Sequence, residues 1–180
     1  MREHIDLAPI LRDSVRTSYS DLVTRPTGAN VRSRIQAVIE ASPYPTTQLD
    51  FRAIGLLDFS CADEIVAKLL LLEDFDRPRY MVLLNVSETH RETIDHVLET
   101  HNLTVVALLS DGPGPVILGW RTPDLVAVFD AVMRLGPGDA SRVADALGWT
   151  VERAADALQS LALRRLVQAA SGTYCPVPIR

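Results

Sequence analysis

Lysine is nearly absent from this chain: Lys68 is alone among 18 basic residues, and 23 acids leave a formal net charge of −5. An acidic chain carries no overall field for polyanions, so composition by itself does not point to nucleic acid. Cysteine is scarce as well. Cys61 and Cys175 lie far apart with no metal-ligand spacing around either, which leaves no zinc pattern and no disulfide framework and predicts two free thiols in a reducing compartment. No uncharged stretch approaches the ~20 apolar residues of a membrane span. The N-terminus MREHIDLAPILRD is too charged for a signal peptide, so the expectation is a cytoplasmic protein with no membrane partner. What is present is ordinary for a globular chain: 180 residues, 47% hydrophobic and 23% charged, enough for one domain or a domain with a small appendage.

Residues 4–15 and 19–24 read as two short strands, the first interrupted by Pro9 and so placed at an edge. Val31, Ile35, Val38 and Ile39 recur at helical spacing and predict a helix over about 28–41, ended by Pro43 and Pro45. The stretch from Leu49 to Leu72 reads as a strand with Leu49, Phe51 and Ala53 on one face, an apolar turn, and a helix opened by a Ser60/Asp63 capping box. Residues 79–86 and 103–109 are apolar runs of the kind buried on both faces of a sheet. Between them Ser87 caps a helix over 88–101 that turns Thr89, Ile94, Val97 and Leu98 inward. Asp111-Gly-Pro-Gly114 is a turn into a last strand, 116–120. The alternation predicts an α/β layer sandwich.

Thr122-Pro123 marks a boundary, giving domains 1–122 and 123–180. The acidic excess belongs to the first part, since residues 124–180 hold as many arginines as acids. There the pattern is three helices and a hairpin. Gly136-Pro-Gly138 stops the first helix, Asp139 caps the second, and Gly148-Trp-Thr150 turns into the third, with strands 163–167 and 174–177 about Ser171-Gly172.

Patterns that carry chemistry are weak. Asp58, Asp63 and Glu64 are close in sequence, but nothing marks an acid–base pair among them. His90, His96 and His101, at spacings of six and five, fall on different sides of one helix and do not converge on a metal. Cys61 near a helix start is the type of position that activates a thiol, against the simpler reading of a buried structural cysteine. The turn at 111–114 lacks the Lys-Ser/Thr ending of a P-loop. No catalytic residue, cofactor or metal ligand is assigned, and no enzyme is expected.

Two resemblances extend this reading. The segment DASRVADALGWTVERAADALQSL, followed by ALRRLV and SGTY, closely resembles bacterial winged helix-turn-helix domains. That resemblance implies a recognition helix over 151–163 and DNA contacts from Arg142, Arg153, Gln159, Arg164 and Arg165 on double-stranded DNA. The same fold serves for dimerisation or protein contact, and the few basic residues leave that alternative open; a homodimer is compatible with it. The stretch LDFRAIGLLDFSCADEIVAKL resembles STAS domains, the anti-sigma factor antagonist fold, and is nearer still to a STAS-like group in which Ala-Asp-Glu, here Ala62-Asp63-Glu64, opens a helix after serine. Leu22-Val-Thr-Arg25 also looks like that group. Matching Asp58 to the family's aspartate puts Phe59 where the phosphorylated residue stands and Ser60 one place later.

A helical wheel over 61–72 turns Ala62, Ile65, Val66, Leu69 and Leu70 to one side and Asp63, Glu64 and Lys68 to the other, with Leu71 in the polar sector. The resemblance implies that this face meets a regulatory protein, with an ATPase or kinase as the family's kind of partner. Ser60, Asp63, Glu64, Lys68 and Leu71 are then the candidate partner-binding residues, while Glu64 and Lys68 at i, i+4 equally make a solvated ion pair. The expected whole is a STAS-like α/β layer sandwich with a C-terminal winged helix, acting as a non-enzymatic transcriptional regulator. The alternative is an interaction module of a switch-kinase type pathway without DNA binding.

Overall fold

In a computed structural model the described residues are 1–15, 20–72 and 79–179. They form two compact units, Met1–Trp120 and Arg121–Arg180. The first holds a five-stranded sheet in the order β1 (Glu3–Asp6), β2 (Thr46–Asp50), β3 (Tyr80–Val86), β4 (Thr104–Leu109), β5 (Pro115–Gly119). Strands β1 to β4 are parallel and β5 returns antiparallel to β4. The fold class is therefore mixed α/β with a mainly parallel sheet.

Parallel strands laid down in sequential order have crossovers of one sense, and the right-handed rule puts all of them on one face. The core is built on that face. Ile5, Leu49, Leu83 and Ala107 are register partners across β1 to β4. They join one cluster with Leu11 of α1 (Leu7–Val15), Ile35 of α2 (Arg25–Ala41), Ile65, and Ile94 of α5 (Glu88–Thr100). Ile65 belongs to a continuous helix built from α3 (Phe59–Ala62), a π-helical turn (Asp63–Ala67) and α4 (Lys68–Leu70). Among the described residues no helix is long and apolar enough to cross a membrane.

Several local expectations change. Residues 4–15 are not one strand: β1 ends at Asp6 and α1 comes directly after it. Pro9 sits in the first helical turn, where its missing N–H would be unpaired in any case, and Asp6 Oδ1 accepts from the N–H of Ala8 at 3.0 Å. Of the strand expected at 19–24, Tyr19 lies outside the described residues, and the remainder makes a single parallel bridge, Leu22 to Leu57. Strand β2 begins earlier than expected and ends before Phe51, leaving Ala53 exposed. In α5, Ser87 accepts from the N–H of His90 as expected of a cap, but Thr89 is exposed and His90 is buried in its place. His90, Ile94, Val97 and Leu98 keep the i, i+4, i+7, i+8 spacing of a buried stripe.

The second unit contains α6 (Pro123–Leu135), α7 (Ala140–Leu147), α8 (Val151–Leu163) and the hairpin β6 (Val167–Ala170) and β7 (Thr173–Pro176). Thr122, Asp139 and Thr150 cap the three helices, accepting from the N–H groups of Leu125, Arg142 and Arg153. Gly148, at φ 66° and ψ 33°, closes α7 in the left-handed region that glycine adopts without steric cost. The first hairpin strand starts later than expected because α8 continues through Leu163, which is 77% exposed, and the second starts one residue earlier, at Thr173. Ser171 and Gly172 both have positive φ, 50° and 78°, the geometry of a type I′ turn. Leu125, Phe129, Val143, Leu158, Leu161 and Val167 supply the buried side chains.

Candidate functional site

Asp58 ties together the starts of two helices. It is the N-cap of α3, its backbone extended at φ −83° and ψ 164°. Its Oδ1 accepts from the Cys61 N–H at 2.7 Å and from the Ser60 hydroxyl at 2.9 Å. Its Oδ2 accepts from the N–H of Thr24 at 2.7 Å, and Thr24 is the N-cap of α2. The Cys61 thiol meets the Thr24 carbonyl at 3.1 Å. Both backbone polar groups of Thr24 are thus held by the start of α3, which keeps a β-branched residue at φ 71° where its side chain is strained. Burial works to raise the Asp58 carboxyl, but the hydrogen bonds from Cys61, Thr24 and Ser60 outweigh it and hold the group below the ordinary 3.8. Ser60 is therefore not the cap expected from the sequence. The aspartate two residues earlier takes that role and holds the serine hydroxyl as a donor.

Asp63 and Glu64, expected to face solvent, are buried at 7% and 3% exposure. The wheel separates a polar side from an apolar one but does not tell solvent from a neighbouring helix. Both α2 and α5 pack against this helix, and its acidic side meets them instead of water. Arg25 Nη1 bridges the two acids, at 2.8 Å from Asp63 Oδ2 and 2.9 Å from Glu64 Oε1. Arg32 Nε meets Glu64 Oε2 at 3.0 Å, and Lys68 donates to Glu64 Oε1. His101, at the end of α5, places Nε2 2.8 Å from Asp63 Oδ1.

For both acids burial is the largest single influence and acts upward. For Asp63 it is outweighed by Arg25 and then His101, and for Glu64 by Lys68, Arg32 and Arg25, so both carboxyls lie below their ordinary values. Gly28 lets α2 approach closely: a Cβ there would stand 3.0 Å from Cys61 Cα and 3.1 Å from Glu64 Cβ. Arg25 stood out in the sequence only as the end of the Leu22-Val-Thr-Arg25 motif, and neither it nor Arg32 as a site residue, although their spacing of seven puts them two turns apart on one face of α2. Of the five residues expected on the contact face, Leu71 is 50% exposed, Lys68 and Ser60 are half-buried, and Asp63 and Glu64 belong to the internal network.

The remaining chemical candidates separate. Burial, reinforced by Asp58, pushes the Cys61 thiol up to about 12, so this residue is a packed thiol and not a thiolate at neutral pH. Alkylation of the native chain with iodoacetamide at pH 8 is expected to modify half-buried Cys175 and spare Cys61, with both modified after unfolding. A second adduct forming as fast as the first in the native protein contradicts this. His90 Nε2 bonds to the Gly55 carbonyl at 2.7 Å, His96 packs edge-on against Phe59 with centroids 5.4 Å apart, and His101 binds Asp63. Among the described residues no group of three His, Cys, Asp or Glu side chains is placed to hold a metal ion.

In the second unit the arginines expected at DNA are partly engaged within the protein. Arg142 donates to the carbonyls of Pro137 at 2.8 Å and Leu135 at 3.0 Å, closing the end of α6. Arg153 grips Asp124 with two bonds, 2.9 and 2.7 Å, while its guanidinium lies 3.9 Å from the centroid of Trp149. Arg164 is half-buried, and burial lowers its guanidinium from the ordinary 12.5. Arg165 is half-buried at φ 58°, and Gln159 is exposed. Beside Arg153 an open groove of about 410 Å³ runs between α6 and α8, lined by Thr122, Asp124, Leu125, Arg153, Asp156, Ala157 and Ser160. No protein-family model matches the chain, and no curated protein matches it.

Proposed function

We propose that the chain is a non-enzymatic regulator acting through protein contact, with a STAS-like N-terminal unit and a winged-helix C-terminal unit. The STAS-like reading rests on the sequence resemblance and is supported by the succession of β2, the loop to Asp58, and a helix opened by Ser60 and Ala62-Asp63-Glu64. The winged-helix reading is supported by three capped helices and a two-stranded hairpin in that order. Within the N-terminal unit, exposed Leu71 and half-exposed Lys68 are the contact candidates, while the buried Asp63 and Glu64 fix the helix that presents them.

The observation that carries protein contact over DNA is the surface of α8. Its exposed side chains include Glu152, Asp156, Gln159 and Leu163, and its one arginine, Arg153, is bound to Asp124. A helix entering the major groove lies among phosphates, where unpaired carboxylates are repelled and several cations are required. DNA-dependent regulation is the second reading, favoured by the element order and by Arg164 and Arg165 before the hairpin.

Fluorescence anisotropy with a labelled random duplex of about 25 base pairs at low salt separates the two. The expected result is no binding up to about 100 µM, the weak end of ordinary non-specific DNA binding. Low-micromolar binding that weakens steeply with salt overturns the contact reading.

A further inference from the structure

The groove between the start of α6 and the face of α8 is a concave feature whose walls differ in chemistry from its floor. We infer that it binds the cationic side chain, arginine or lysine, of a basic segment in a partner protein. The inference rests on the reading of the C-terminal unit as a contact module and names its surface. The floor is Leu125 and Ala157, suited to the methylene stem of a long side chain, which lies on apolar surface while its head stays polar. At the rim, Asp156 is exposed and makes no ion pair among the described residues, and Ser160 stands one helical turn further on.

The only cation in the lining is Arg153, and Asp124 already holds it with two bonds. The lining therefore carries one uncompensated negative charge, complementary to a single incoming cation. A guanidinium is already seated at this wall: Arg153 lies between the carboxylate fork of Asp124 and the ring of Trp149 at 3.9 Å, the pairing of planar contacts that guanidinium groups favour. The groove is open and its lining is part polar and part apolar, as a site for one long cationic side chain of a docked chain should be, and unlike the enclosed apolar pockets that take small ligands.

The probe is N-acetyl-L-arginine amide, titrated into the 15N-labelled full chain and followed by two-dimensional NMR. N-acetyl-L-citrulline amide serves as the neutral analogue of the same shape. Saturable shifts are expected at residues 122–125 and 153–160. They weaken about two- to fivefold with the citrulline compound and by a similar factor in Asp156→Asn, the upper part of the range of a solvent-accessible charge pair. Asp130→Asn, an exposed acid on α6 outside the groove lining, leaves them unchanged. Equal shifts with citrulline, equal binding by Asp156→Asn, or shifts spread over every acidic surface overturn the inference. A separate titration with the 25-base-pair duplex tests the underlying reading. Loss of the 151–165 signals to duplex defeats the contact module itself, whereas silence to duplex with failure of the arginine probe defeats only the groove.

Discussion

Replacing Glu64 by glutamine is expected to lower the stability of the N-terminal unit by about 2–3 kcal/mol at pH 7. Breaking a buried ion pair by removing one partner typically costs about 3–5 kcal/mol, because the other charge is left unpaired. Here the stranded cations are partly in water: the Arg25 and Lys68 side chains are 52% and 39% exposed, so they recover hydration and the cost falls below that range. The direction of the shift sets the sign with pH. The folded Glu64 carboxyl lies below its ordinary 4.5, so its contribution is complete above that value and is lost as the pH falls through the folded value. The difference between wild type and Glu64→Gln should therefore be full at pH 6–7 and shrink below about pH 4.5. Urea unfolding across this range measures it, with Glu88→Gln, which removes an exposed pair with Arg91, as a control whose midpoint stays put. A pH-independent difference, or an unchanged midpoint at pH 7, removes the network from any account of this fold.

Gly119→Ala should be still more damaging, at about 3–5 kcal/mol. Gly119 ends β5 at φ 90°, where residues with a Cβ are strained. A Cβ built there stands 2.3 Å from the Leu103 carbonyl oxygen and 2.5 Å from Leu98 Cβ. Backbone on one side and a fully buried leucine on the other leave no flexible group to yield. Since whole domains are stable by only about 5–15 kcal/mol, the variant should unfold at a sharply lower temperature by circular dichroism or fail to accumulate as soluble protein. A melting temperature within a degree or two of wild type contradicts the geometry. Gly114→Ala, whose added Cβ meets nothing within 4 Å, is the matched control.

Elements whose signal is local could be read before the structure. The apolar runs of β3 and β4, the Ser87 cap of α5 and the Gly148 stop of α7 each depend on neighbours within a few positions. The errors arise where the deciding interaction leaves no mark in the hydrophobic pattern. Pro9 reads as a strand interruption because the pattern does not reveal that Asp6 opens a helix three residues earlier. Ser60 reads as a cap because it is followed by Asp63, yet Asp63 is drawn into an ion pair with Arg25 and a hydrogen bond with His101, 38 positions away on either side. No periodicity announces the π turn, whose two acids meet partners on α2 and at the end of α5. The candidate contact face was legible only in part for the same reason, since a wheel separates polar from apolar but cannot distinguish solvent from a buried network. In the C-terminal unit the helix caps were visible, whereas the engagement of Arg142 and Arg153 by Leu135, Pro137 and Asp124 was not, because a sequence counts cations without showing which are already bound.

The sequential order of the sheet bears on how the chain reaches this state. Each of β2, β3 and β4 pairs with the strand just before it, and no strand waits for a partner inserted later between two others. A chain emerging from the ribosome can therefore add one strand and one covering helix at a time to a growing edge, closing loops of only moderate length at each step. The antiparallel return of β5 through the short turn at Asp111-Gly-Pro-Gly114 would complete the sheet last. Truncations after Leu109 and after Trp120 should differ abruptly in protease resistance, with assembly completing over the segment between them.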